Sequence, residues 1–430
     1  MQFYNIHSHI FNIRNAPRNF LNMFLPDSAA RLVDWFTNTA PGAAVFQFLL
    51  SKLGGNLGKR YASFLQVGKS RNQREIFEGL RKQYADDPSI KIVALTMYME
   101  HCGAGPSQTG YEGQLEGIIE VKKENPDNLL VFMGIDPRWK GGGKELKETV
   151  ERYFETKIQV SADRSVYPFA GLKIYPSLGF YAFDEKLKET FEWAAQNSVP
   201  VLSHCSYLGG IYNNDTEFVN ASLNPFDVYS GRRYSENFDE NTPPPTPDDS
   251  FNVFKWALGQ NNNLRNLHSC SYFLEPASFE SILKYFTEKG TPLKICLAHF
   301  GGDDHVLDEA SGAITKELYG MKQENWCSQI KSLIMKYPES VFTDISFTVG
   351  NSKTHKEFFK YLQNPQLRNR MLFGTDFFMT ERLLPEKDDY ATFKKAALKE
   401  TFDKTNAWEI MASTNAETFL QSKYYPVANT

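Results

Sequence analysis

Apolar residues along this chain gather into short runs separated by amphipathic stretches. Runs of strand length fall at 3–6, 92–97, 129–135, 170–174, 199–203, 293–298, 341–345 and 371–373. Several are almost continuously apolar, as strands covered on both faces of a parallel sheet are. The stretches between them carry helical periodicity. Residues 185–196 place Leu187, Phe191 and Ala195 on one face, with Asp184 in position to cap the first turn. Residues 279–289 likewise align Ile282, Leu283 and Phe286, preceded by Ser278. Eight alternations of strand and helix predict an α/β fold, a distorted (β/α)8 TIM barrel.

A barrel of ordinary size takes about 250 residues, which leaves roughly 180 over in a chain of this length. Two insertions absorb most of them, about 12–68 after the first strand and about 206–276 after the fifth. The second contains the proline-rich stretch 242–249 and the asparagine-rich 260–263, both loop signals. Each leaves from the C-terminal end of a strand, the face where barrel enzymes build their sites. They are therefore expected to cap an active site within a single domain, 1–430.

Composition narrows the possible partners. A net charge of −4 gives no electrostatic reason to expect nucleic acid or an anionic membrane. The longest apolar stretch, 43–50, is too short to span a bilayer. Five cysteines without C-x-x-C spacing suggest reduced thiols and a cytoplasmic setting. A small-molecule substrate is the expected partner, and a homodimer is the default assembly.

Candidate chemistry sits at the strand ends. His7 and His9 close the first apolar run, and side chains two apart on a strand share a face, so both imidazoles can reach one divalent cation. The fourth strand carries Lys173, the fifth ends in His204, the sixth in His299 and the eighth in Asp376. Four of the eight histidines thus lie where a barrel would converge them.

The matching segments are HSH at 7–9, GLKIYPSLGF at 171–180, VPVLSHC at 199–205, CLAHFGG at 296–302, FGTDFF at 373–378 and NAETFL at 415–420. This set resembles the amidohydrolase superfamily, in the amidohydrolase-2 branch with aminocarboxymuconate-semialdehyde decarboxylase and related metal-dependent hydrolases. The resemblance implies that His7, His9, His204 and Asp376 hold one divalent metal, zinc ahead of manganese. It also implies that Asp376 and His299 act on the substrate and that Lys173, if carboxylated as in some branches, bridges two metals; an unmodified Lys173 could instead bind an anionic substrate group or pair with Asp376. Three imidazoles and a carboxylate with room for water suit such a site.

Weaker candidates surround these residues. Arg138 could grip a substrate carboxylate or simply form a loop ion pair, and Tyr175 could line the pocket with Phe180. His101 could line the pocket or be a solvated loop histidine with equal weight, whereas Arg232–Arg233 could reach an anionic ligand but such loop pairs are usually just solvated. His268, His305 and His355 receive no role, and Gly141–Gly143 reads as a turn, since no phosphate-loop pattern surrounds it. The expected function is hydrolysis of an ester, lactone or amide by metal-activated water. Non-oxidative decarboxylation of a small carboxylic acid is the alternative. A catalytically inactive ligand-binding barrel is the reading from another class.

Overall fold

A computed structural model describes residues 1–17, 72–102, 105–206, 226–233, 273–313, 315–318, 321–378 and 385–427. Nearly all of both insertions lies outside these residues, and with them His268 and the expected cap. Eight strands form one sheet: β1 (Tyr4–His9), β2 (Lys91–Leu95), β3 (Leu129–Ile135), β4 (Gly171–Ile174), β5 (Val201–Ser203), β6 (Ile295–Leu297), β7 (Val341–Asp344) and β8 (Met371–Leu372). Each strand pairs in parallel with its neighbours in chain order. The sheet closes between first and last strands: Ile6 N–H donates to Phe373 O at 3.1 Å and Asp376 N–H to His7 O at 2.8 Å. The fold is a (β/α)8 barrel.

Helices follow the strands as the periodicity predicts. The helix Glu185–Gln196 (α1) buries Leu187, Phe191 and Ala195, and the Asp184 carboxylate accepts the Lys186 N–H at 2.9 Å. The helix Glu280–Glu288 (α2) buries Ile282, Leu283 and Phe286. Its start differs from expectation. A 3-10 turn over Pro276–Phe279 leads into it, so Ser278 lies inside that turn and caps nothing.

Two apolar cores result. The larger lies between strands and helices, whereas the smaller fills the barrel with Tyr4, Ile6, Leu95, Leu130, Phe132, Phe342 and Leu372. The C-terminal helix Asn415–Leu420 (α3) adds Phe419 to the inner core, its ring 5.1 Å from Phe342 and 6.2 Å from Phe132. Gly171 leaves room for the Phe132 ring, because a Cβ there would stand 2.4 Å from it.

One irregularity in β1 governs the site. Tyr4 and Asn5 face Lys91 and Ile92, but Ser8 and His9 face Ala94 and Leu95, so three steps in β1 match two in β2. This bulge changes the parity of the strand. Tyr4 and Ile6 point into the barrel, and unbroken alternation would next turn Ser8 inward. With the bulge, His9 sits opposite Leu95, itself an inner-core residue. Both histidines therefore enter the barrel mouth above Ile6.

Candidate metal centre

Strand ends bring the ionisable groups together. His9 Nε2 lies 3.2 Å and His7 Nε2 3.5 Å from the same Asp376 oxygen. These three residues can offer one ligand atom each to a single ion, and all are buried. Gly374 permits the approach of β8 to β1, since a Cβ there would come within 2.8 Å of His7 Cβ. The turns that carry the site leave the ordinary backbone regions: His299 (φ 68°), Phe347 (φ 61°) and Asp376 (φ 66°) are left-handed. Such conformations in non-glycine residues store strain where function needs it.

Below this trio lies a carboxylate that the strand-end reading passed over. Asp344, the last residue of β7, is fully buried. Its Oδ2 is 3.0 Å from His7 Nδ1 and 3.6 Å from Cys296 Sγ. Its Oδ1 accepts N–H bonds from His299 at 3.0 Å and Ser346 at 2.9 Å, and the Ser346 hydroxyl donates to it as well. Burial pushes this carboxyl up, but the hydrogen bonds and the neighbouring His7 and His299 hold it well below the ordinary carboxylate range. An ionisable residue inside an otherwise apolar strand was the available signal, because a buried charge is costly unless something uses it.

An ionised Asp344 only accepts hydrogen bonds, so the hydrogen of His7 resides on Nδ1. Burial lowers the His7 imidazole to about 4, leaving it neutral at pH 7 with a lone pair on Nε2. That nitrogen is buried, has no hydrogen-bond partner among the described residues and faces Asp376. Burial also pushes the Asp376 carboxyl up. The hydrogen bond from His9 and the neighbouring His7 and His299 rings outweigh this and hold it below the ordinary carboxylate range. Two electron-pair donors confronting each other in a buried site fit a bound cation.

The other sequence-derived residues are placed as follows. His204 and His299 pair through Nδ1 and Nε2 at 2.9 Å. The outer nitrogens meet carbonyls, His204 Nε2 with Ser206 O at 3.1 Å and His299 Nδ1 with Ser346 O at 3.0 Å. Of the four implied ligands, the structure thus gathers His7, His9 and Asp376, while His204 turns to His299. Tyr175 packs edge-on against His204, 4.7 Å between ring centres. Lys173 is buried in the barrel mouth and makes no hydrogen bond or ion pair with any described residue; burial lowers its ammonium to about 8.

Arg138 reaches both oxygens of Asp136, at 2.7 and 2.5 Å, and lies over the Phe180 ring. This is the loop ion pair that its sequence position allowed. His101 is exposed. His305 accepts the Trp326 N–H at 3.1 Å, and His355 lies 2.7 Å from Val349 O, both as packing residues. Gly141, Gly142 and Gly143 all have positive φ, which fits the turn. Cys102, Cys205, Cys296 and Cys327 are buried. No helix among the described residues is long and apolar enough to cross a membrane.

No family model and no curated protein matches the chain. Solved structures do. A 5-carboxyvanillate decarboxylase from Novosphingobium aromaticivorans, complexed with manganese and 4-hydroxy-3-methoxy-5-nitrobenzoic acid, is 11% identical with a TM-score of 0.45, covering 97% of this chain and 96% of its own. A zinc-bound amidohydrolase from Burkholderia multivorans is 10% identical with a TM-score of 0.43, covering 80% and 87%. A 4-oxalomesaconate hydratase from Rhodopseudomonas palustris is 14% identical with a TM-score of 0.45, covering 97% and 95%.

Proposed function

We propose that this chain is a metal-dependent hydrolase acting on an ester, lactone or amide of a small anionic substrate. The observation that carries the reading is the buried His7 Nε2 lone pair facing the Asp376 carboxylate at 3.5 Å, with His9 beside it. His7, His9 and Asp376 would hold one divalent metal, with zinc or manganese suited to nitrogen and oxygen donors. His204 is proposed as the fourth ligand. Its ring is held beside the cluster by the contact to His299 at 2.9 Å.

A bound divalent metal supplies Lewis acidity that activates water at neutral pH. The protein's own groups do the rest. The ionised Asp376 accepts the proton of the attacking water and later passes it to the leaving group. His299, its Nδ1–H fixed on Ser346, lies next to the ligand cluster, 4.9 Å from His7 between ring centres, and is proposed to act as a further base through Nε2. Lys173 offers a buried positive charge to a substrate carboxylate. Tyr175 lines the wall beside His204.

That ammonium also favours a second reading, non-oxidative decarboxylation, in which Lys173 and the cation orient the carboxylate that leaves as CO2. One experiment tests both. Metal content is measured on protein purified without chelator, followed by a panel of esters, lactones and carboxylic acids read for proton release and for CO2. About one equivalent of zinc or manganese with proton release supports hydrolysis, and CO2 supports the alternative. Near two equivalents assigns Lys173 a bridging carbamate. Protein that remains metal-free after incubation with zinc and manganese rules the metal reading out. His299→Asn is expected to keep its metal and lose roughly 10²–10⁴-fold in kcat. A parallel loss of metal would make His299 a ligand instead.

A further inference from the structure

Asp344 belongs to no part of the proposed ligand set, yet it touches His7, Cys296, His299 and Ser346. Its two oxygens divide the work. One meets His7 Nδ1 at 3.0 Å. The other gathers the backbone N–H groups of His299 and Ser346 and the Ser346 hydroxyl. The first contact concerns a proton's position, the second a backbone. His299 stands at φ 68°, a conformation that must be held from outside, and its carbonyl is fixed by the Thr348 hydroxyl at 2.6 Å.

His7, His299 and Asp344 could themselves be taken for a second ion site, since one ligand atom of each lies within 4.8 Å of the others. The Ser346 hydroxyl argues against that. Its oxygen is 2.9 Å from His7 Nδ1 and 3.0 Å from His299 Nδ1 and bonds to Asp344, so it occupies the space between the three as the hub of a hydrogen-bonded knot.

We propose that Asp344 is the positioning residue of the site: it keeps the hydrogen of His7 on Nδ1, so that the Nε2 lone pair faces Asp376, and it holds the backbone turn that carries His299. The proposal rests on the metal reading above for its purpose, but not for its chemistry. Which imidazole nitrogen carries hydrogen is set by the partner of the other, and partners of metal-binding histidines orient and sharpen the ligand.

The test follows from the geometry of the Asp344→Asn variant. Its amide oxygen must take the two backbone N–H groups, which can only donate. The amide nitrogen is then turned to His7 Nδ1, which becomes an acceptor, and the ring hydrogen moves to Nε2, the ligand position. Long-range ¹H–¹⁵N NMR on metal-free, histidine-labelled full-length protein reads the tautomer, with His7→Gln used to assign the signal. Zinc affinity is measured by competition with a chelating dye. Wild type is expected to show Nδ1–H on His7, and Asp344→Asn Nε2–H with zinc affinity lower by roughly 10–100-fold. Ser346→Ala, which keeps the carboxylate, is expected to retain the Nδ1–H tautomer.

Nε2–H in the wild type overturns the proposal, and so does an Asn variant that binds zinc as tightly as wild type. Should the Asn variant fail to fold, the wild-type tautomer and Ser346→Ala still decide. Wild type with Nδ1–H on His7 that takes up no zinc would defeat the metal reading while upholding the role of Asp344 in fixing the ring.

Discussion

Lys173 is the residue whose chemistry is most open to measurement. Transfer of an ammonium into a barrel mouth without a close counter-ion disfavours its charged form, and burial brings it from 10.5 to about 8. The carboxylates of Asp344 and Asp376 limit the fall. The group is therefore charged below pH 8 and neutral above it, so its hold on an anion is present below that pH and lost above it. For a carboxylate-bearing substrate, KM is expected to rise from pH 7 to pH 9. A charge-assisted hydrogen bond contributes about 1.5–3 kcal/mol, which amounts to roughly 10–100-fold. Lys173→Gln should show the raised KM at every pH in that range. A wild-type KM that is flat across pH 8 would remove Lys173 from substrate binding. At this scale His7, His9, Lys173, His299 and Asp376 were legible, because each ionisable residue ended a strand-like apolar run. Asp344 and Ser346 lie just as plainly at the end of such a run, but their meaning depends on His7 being 3.0 Å away. Proximity across the barrel leaves no mark in local pattern.

At the scale of elements, the helix α1 illustrates how local chemistry and packing agree. Its apolar stripe predicts the buried face, and its cap is read directly from Asp184 before the first turn. Asp184→Ala removes the acceptor for the Lys186 N–H and is expected to cost about 0.5–2 kcal/mol in chemical denaturation. A loss below that range would show that packing of Leu187 and Phe191 alone determines where the helix starts. The helix α2 shows the contrary case. Ser278 is a good capping residue by type, but Pro276 starts a 3-10 turn ahead of it and moves the helix start to Glu280. Strand ends shifted by a residue or two for a similar reason: β5 and β6 begin only where a neighbouring strand is available to bond, at Val201 and Ile295. Boundaries depend on partners, which periodicity does not contain.

Across the whole molecule, the barrel is closed laterally by hydrogen bonds from β1 to β8 and filled from within by the inner core. The C-terminal helix α3 takes part in that filling. The Phe419 ring packs at a tilt against Phe342 and Phe132, and the Lys294 ammonium donates to Phe419 O at 2.7 Å and Gln421 O at 2.5 Å. Phe419→Ala is thus a core deletion inside the barrel. It is expected to lower the unfolding free energy by about 3–5 kcal/mol, seen as a reduced denaturation midpoint with an unchanged slope. A loss under about 1 kcal/mol would mean that α3 merely rests on the barrel.

The sequence by itself determined that eight apolar strands alternate with amphipathic helices, and that His7 and His9 share a face, since both follow from covalent spacing and the period of the strand. It could not determine which face. Tyr4 and Ile6 set the inward parity of β1, and plain alternation would have carried Ser8 into the barrel and turned both imidazoles away from it. The bulge against β2 reverses that parity, and only pairing with Ala94 and Leu95 reveals it. The tertiary structure likewise decided that His204 meets His299 and that a carboxylate of β7 stands behind His7. These relations join residues far apart in the chain, and they are set by strand register and barrel closure, which no local pattern encodes.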